Sequence, residues 1–140
     1  LEDERFNLLV FGERRFEIVD IVQTQPYLKA KIRCRDEVIG EAPLSKQEIS
    51  SIKQNLEQHM RMTLGLHGGW VREINAPTDL VQLSYYIAAS VKGPIIERQS
   101  ILEATTAKER LAMLLPILQR EYQRNRKTFE ERILQKGLCN

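Results

Sequence analysis

The sequence predicts an α+β fold: a small antiparallel β-sheet, followed by an all-helical bundle that ends in a long helix. Three observations carry this. The stretch GERRFEIVDIVQTQPYLKAKIRC, from Gly12 to Cys34, alternates apolar and polar residues with a period of two. From Ser45 onward, apolar residues recur every three to four positions behind helix-capping pairs. The last of these helical patterns is the longest.

In the sheet, Leu28, Ala30, Ile32 and Cys34 point one way, while Tyr27, Lys29, Lys31 and Arg33 point the other. This is the pattern of a strand with one buried and one wet face. Upstream, Phe16 and Ile18 alternate with Arg15 and Glu17, and the phase then blurs through Val19, Asp20, Ile21 and Val22. A bulge, or burial on both faces, accounts for the blur. Gln25-Pro26 separates the two strands, because proline cannot donate to a ladder. Ahead of them, Phe6, Leu8 and Val10 oppose Asn7, Leu9 and Phe11, with Gly12-Glu13 as a turn, which predicts a third strand. That strand is an apolar edge, of the kind proteins cover or blunt. Its cover is expected from strands preceding Leu1 or from a partner.

Residues 35–44 read as a turn-rich connection. Ser45 and Glu48 then form a capping box, flanked by Leu44 and Ile49 as a hydrophobic staple. Ile49, Ile52, Leu56 and Met60 keep one face of the first helix apolar, and Gly65, Gly68 and Gly69 end it. A second helix begins at Thr78-Asp79 and carries Leu80, Leu83, Ile87 and Val91, with Tyr85, Ala88 and Ala89 widening the stripe. That width predicts a central position. Gly93-Pro94 stops this helix, and a short third one covers residues 95–102. Thr106 and Glu109 start the fourth, whose stripe runs through Leu111, Leu114, Leu115, Leu118 and Tyr122 to Phe129 and Ile133. Pro116 inside it predicts a kink, and the distal turns are expected to run out as a more exposed tail.

Composition narrows the function classes. The 140 residues are 42% hydrophobic and carry a net charge of +2, which gives no whole-chain argument for nucleic acid or membrane. No apolar run approaches the ~20 residues of a membrane span, and LEDE at the start is not a signal peptide. Cys34 lies on a strand and Cys139 near the end, which points to reduced thiols in a cytoplasmic protein rather than to a disulfide.

Local motifs offer little chemistry. GLHGGW lacks the lysine and the preceding strand of a phosphate loop and reads as an inter-helix loop. His59 and His67 have no cysteine near them to complete a zinc set. Ser45-Lys46 and Ser90-Lys92 resemble serine–lysine dyads, but Ser45 is explained as a cap and a lysine base needs burial. No convergent acid, base and nucleophile emerges, so no catalytic residue, cofactor or metal is assigned. Trp70 reads either as a contact residue or, with more weight, as a plug at the sheet–helix junction. Arg120, Arg124, Arg126 and Lys127 form the strongest basic cluster, but Glu121, Glu130 and Glu131 beside them favour a solvated helix face.

The order of these parts resembles a known family. FNLLVFGERRFEIVDIVQTQPYLKAKI is similar to the second half of the sheet of the Lon protease N-terminal, substrate-binding domain. PTDLVQLSYYIAASV and IIERQSILEATTAKERLAMLLPILQREY are similar to two of that family's helical segments. The matching residues include Arg15, Phe16, Pro26, Tyr27, Leu28 and Ala30 in the sheet, with Leu80, Ile87, Ala88, Gln99 and Leu102 in the helices. They continue through Glu109, Arg110, Leu111 and Glu121. The family's opening strand and helix are not matched, nor are its ATPase and serine–lysine protease signatures.

The resemblance implies a sheet that is part of a pseudo-barrel, residues 1–40, and a helical subdomain, residues 41–140. It implies protein recognition rather than chemistry: binding of unfolded, damaged or tagged protein segments, and assembly with an ATP-dependent serine protease. Addition of an extended peptide to the sheet edge suits this role, with Phe11, Tyr27 and Trp70 as contact residues. Two alternatives stand beside it. One is self-association through the last helix, and the other is nucleic-acid binding through Arg120 to Lys127.

Overall fold

The computed structural model describes residues 7–40 and 44–138, and the chain divides between Asp36 and Glu37 into two compact units. Phe6, residues 41–43 of the predicted connection, and Cys139 lie outside the described residues.

The first unit holds two antiparallel strands, β1 (Arg15–Gln23) and β2 (Lys29–Arg35). Register breaks fall between Ile18 and Asp20 and between Ile21 and Gln23, so Val19 and Val22 are extra residues in β1. The bulges explain the blurred alternation. Without them Asp20 would slip onto the apolar face; with them it pairs with Lys31, and Ile21 pairs with Ala30. Phe16, Ile18, Ile21, Ala30, Ile32 and Cys34 therefore line one face. The bend between the strands contains a cis Gln25–Pro26 peptide.

The expected third strand does not form. Residues 7–14 carry no strand or turn, and Leu8, Leu9, Val10 and Phe11 are exposed. Alternation makes a strand possible, but a ladder needs a neighbour to take up the backbone groups. Among the described residues none does.

The second unit is built from α1 (Lys46–Leu66), α2 (Leu80–Ser90), α3 (Ile95–Glu103) and α4 (Ala107–Leu138). The predicted caps are present. Glu48 N–H donates to Ser45 Oγ at 3.2 Å, and Ser45 N–H donates back to the Glu48 carboxylate at 2.7 Å. Asp79 caps α2 by accepting from Gln82 N–H at 2.9 Å. At α4, Thr106 Oγ1 accepts from Glu109 N–H at 3.1 Å, while the Glu109 carboxylate accepts from Thr105 N–H at 2.8 Å. The C-terminus of α1 closes as a Schellman motif. Gly69 N–H reaches Leu64 O at 2.9 Å and Gly68 N–H reaches Gly65 O at 3.1 Å, with Gly68 at φ +74°.

Ile52 and Leu56 of α1, Leu83 and Ile87 of α2, Ile101 of α3, and Leu111, Leu114, Ile117 and Leu118 of α4 form one buried core. Each fully buried aliphatic side chain contributes about 1.5–3 kcal/mol relative to exposure. The hub is α4, which packs on α1, α2 and α3, rather than α2 as its wide stripe predicted. The helix continues through Pro116. Its distal turns stay against α1 as far as Arg132, which donates to Leu66 O at 2.6 Å, and Asn125 donates to Thr63 Oγ1 at 3.0 Å. The start of α4 is closed by the segment after the sheet unit: Val38 O accepts from Ala107 N–H at 2.8 Å and Ile39 O from Lys108 N–H at 3.1 Å. These bonds satisfy amides that a helix leaves open at its first turn. Gly40 adopts φ +116° here, a backbone conformation that L side chains rarely take.

Candidate functional site

The two faces of the β1–β2 sheet differ in kind. One carries Lys29, Lys31, Arg33 and Arg35 at alternate positions of β2. Arg15 lies directly opposite Arg35, an unfavourable like-charge pairing. Glu17 counters it by gripping Arg33 at 2.7 Å and Arg35 at 2.5 Å. The hydrogen bond from Arg35, and the charges of Arg35 and Arg33, hold the Glu17 carboxyl below the usual glutamate range.

The other face is apolar and uncovered. Phe16, Ile18, Ile21 and Ile32 each keep about half of their surface in contact with solvent, and Cys34 is exposed. The burial that the strand pattern predicted for this face is not present among the described residues. A continuous apolar surface of this kind is one that further polypeptide, of the same chain or of another, can cover. Among the described residues, both strands also keep an outer edge without a ladder partner. The edge of β1 is interrupted by its bulges, while β2 is regular along its length.

The three predicted contact residues are all on the surface: Phe11 is 82% exposed, Tyr27 60% and Trp70 81%. Phe11 precedes β1, and Tyr27 lies in the bend between the strands with the Lys29 ammonium 5.1 Å from its ring centroid. Trp70 belongs to the second unit, in the loop after α1. The plug reading of Trp70 fails, because its ring fills no core.

Two of the four residues in the basic cluster on α4 are paired with carboxylates. Arg120 makes a two-pronged contact with Glu97 at 3.0 and 2.9 Å, and Arg126 pairs with Glu130 at 2.8 Å. Glu121 corrects the sequence reading. It is buried, not part of the solvated face, and accepts from Lys92 N–H at 2.8 Å. Its other oxygen lies 3.7 Å from Nε2 of buried His59, which also meets Ser90 O at 3.2 Å. Ser90 itself donates its hydroxyl to Ile87 O at 2.8 Å.

A second buried polar cluster centres on Arg110. One terminal nitrogen donates to Ser84 Oγ at 2.7 Å, and the other lies 3.4 Å from both the Glu37 carboxylate and Ala104 O. Its guanidinium stacks on Tyr85, whose hydroxyl bonds to the other Glu37 oxygen. Residues 59, 110 and 121 escaped the sequence reading although a signal was present. His59 falls at i+7 from Ile52 and i+3 from Leu56; Arg110 and Glu121 share a face with Leu114 and Ile117. A polar residue at an apolar-stripe position is the mark of a buried polar contact. No group of three or more metal-ligating side chains occurs among the described residues. Nor is any helix among them long and apolar enough to cross a membrane.

Comparison with known proteins agrees with this architecture. The family model for the ATP-dependent protease La (LON) substrate-binding domain matches residues 1–120. "Lon protease 2" of Myxococcus xanthus is 32% identical over 127 residues, covering 85% of this chain and 14% of that protein. "Lon protease" of Anaeromyxobacter dehalogenans is also 32% identical over 127 residues, with the same coverage of 85% and 14%. "Lon protease" of Amoebophilus asiaticus is 29% identical over 141 residues, covering 95% of the chain and 17% of the relative. The chain thus spans only about one seventh of the length of the first two of these relatives, 14%. By its family match and its relatives, the chain belongs to the Lon substrate-binding domain family.

Proposed function

We propose that this domain is a non-catalytic recognition module that binds unfolded or damaged protein segments and delivers them to an ATP-dependent serine protease. The observation that carries the reading is the uncovered apolar face of β1 and β2, formed by Phe16, Ile18, Ile21 and Ile32. Unfolded chains expose the apolar side chains that native proteins bury, so an open apolar face selects them without a sequence code. The unpartnered edge of β2 adds a second source of affinity, because an extended segment gains backbone hydrogen bonds there. Phe11 and Tyr27 are contact residues on the same unit, and Trp70 is a separate point of contact on the second. Membership in the Lon substrate-binding family supports both the recognition role and the association with a protease.

The test is fluorescence anisotropy of a labelled unfolded polypeptide titrated with the domain, with labelled duplex DNA as comparator. Saturable polypeptide binding that persists in added salt supports the reading. DNA binding alone, lost with salt, would overturn it.

A further inference from the structure

A groove of about 380 Å³ lies between α2 and α3 and shares Tyr85 and Arg110 with the buried polar cluster described above. Ala88 and Ala89 form one wall, Ile95 and Leu102 the other, and Arg110 of α4 is part of the floor. The two alanines make the space, since a larger side chain at either would fill it. Ile95, Arg98 and Leu102 fall at i, i+3 and i+7, so α3 presents an apolar–cation–apolar row about 10 Å long.

The charge of the groove is one-sided. Its charged lining residues are Arg98 and Arg110, with no carboxylate among them. Of the two acidic residues of α3, Glu97 pairs with Arg120 at 2.9 Å, and Glu103 accepts from the amide of Gln99, a lining residue, at 2.8 Å. Arg98 is exposed and has no salt bridge among the described residues. Beneath it, the Nε of fully buried Arg110 has no hydrogen-bond acceptor. Among the described residues Glu37, at 3.4 Å, is the one carboxylate on that guanidinium, and it also accepts from the Tyr85 hydroxyl. An apolar slot with an unpaired cation at its rim and an under-satisfied cation below it calls for an apolar ligand that carries negative charge.

We infer that the α2–α3 groove docks a polypeptide segment in which apolar side chains flank a carboxylate, with Arg98 pairing the acid and Ile95 and Leu102 meeting its neighbours. The inference rests on the recognition reading above and adds an acidic preference to it. A polypeptide suits the site better than a small metabolite, because the row on α3 is long, open and alternates in chemistry along its length. The groove lies wholly within the second unit, so its contribution is separable from that of the sheet.

The test uses fluorescein-labelled peptides with a central Leu-Asp-Leu, Leu-Asn-Leu or Leu-Lys-Leu in a Gly-Ser background, beside a labelled unfolded polypeptide. Two variants address the groove: Arg98→Glu reverses the rim charge, and Ala89→Gln places a larger neutral side chain on the exposed wall. The Leu-Asp-Leu peptide is expected to bind about tenfold more tightly than Leu-Lys-Leu. Arg98→Glu should invert that order, and Ala89→Gln should weaken all three peptides severalfold. Circular dichroism must show unchanged helix content for both variants, which have exposed positions. Binding that ignores peptide charge and both substitutions overturns the groove, and leaves the recognition reading intact if the polypeptide still binds. Loss of polypeptide binding with retention of the Leu-Asp-Leu preference would instead overturn the broader reading and keep the groove.

Discussion

The guanidinium carbon of Arg110 stands 4.1 Å from the centroid of the Tyr85 ring. This stack joins α4 to α2, and Glu37 closes it from the chain segment ahead of α1 by contacting both side chains. Removing the guanidinium therefore leaves Ser84, Tyr85 and Glu37 without their shared partner. Arg110→Ala should destabilise the helical unit by about 1–3 kcal/mol, the usual cost of leaving hydrogen-bonding groups unsatisfied. Arg110→Met, which keeps the bulk of the stem, should cost less. Urea unfolding followed by circular dichroism checks both, and equal cost would mean that the packing of the stem adds nothing to the guanidinium contacts.

Glu121 offers a contrast within the same helix. Its oxygen accepts the Lys92 N–H, so Glu121→Ala leaves a part-buried donor without this partner. The expected loss is about 1–3 kcal/mol. Glu121→Gln retains an acceptor oxygen and should fall between Ala and the native residue. Thermal unfolding of the three proteins gives the order, and a Gln variant no better than Ala would show that the charge matters more than the hydrogen bond.

Ser45→Ala removes one half of the capping box on α1. The helix should lose about 1 kcal/mol, with fraying confined to its first turn. Amide hydrogen exchange at Gln47, Glu48 and Ile49 reads this directly. The Ser45 backbone N–H first, and its hydroxyl second, hold the Glu48 carboxyl below the ordinary glutamate range; the substitution removes only the hydroxyl, so the midpoint should rise in part and stay below that of a free glutamate.

Glu17 gives a pH dependence with a definite sign. Its folded-state pKa is depressed, chiefly by the hydrogen bond from Arg35. The contribution is therefore present above the unfolded glutamate pKa, about 4.3, and is lost as pH falls through the lower folded value. Carbon-detected titration of Glu17 should give a midpoint below that of a free glutamate, moving upward in Arg35→Gln. Because the pair is exposed, raised salt should shrink the shift.

The helices were legible because their signals are local. Ser45 with Glu48, Asp79, and Thr106 with Glu109 announce their caps within four residues, and the glycines after Leu66 announce a stop. The sheet was legible only in part. Pairing of β1 with β2 followed from alternation, while the blur from Val19 to Val22 left a bulge or two-sided burial open, and the segment 7–14 found no partner among the described residues. The candidate surface was harder still. Trp70 looked like core because large aromatics usually are, whereas burial depends on what the loop leaves nearby. Arg110, Glu121 and His59 looked exposed or unremarkable by residue type, yet their helical phase put them inside. Phase was the better guide at these positions.

The measurement closest to the central claim compares polypeptide binding by the native domain and by Ile32→Thr, with Trp70→Ala as a second variant. Ile32 sits in the middle of the open apolar face opposite Ile18, and threonine keeps the β-branched shape while adding a hydroxyl. Anisotropy of a labelled unfolded polypeptide should show saturable, salt-resistant binding to the native domain, weakened severalfold by Ile32→Thr with secondary structure unchanged. Affinity indifferent to Ile32→Thr in a folded protein, or binding of duplex DNA in place of polypeptide, would contradict the account.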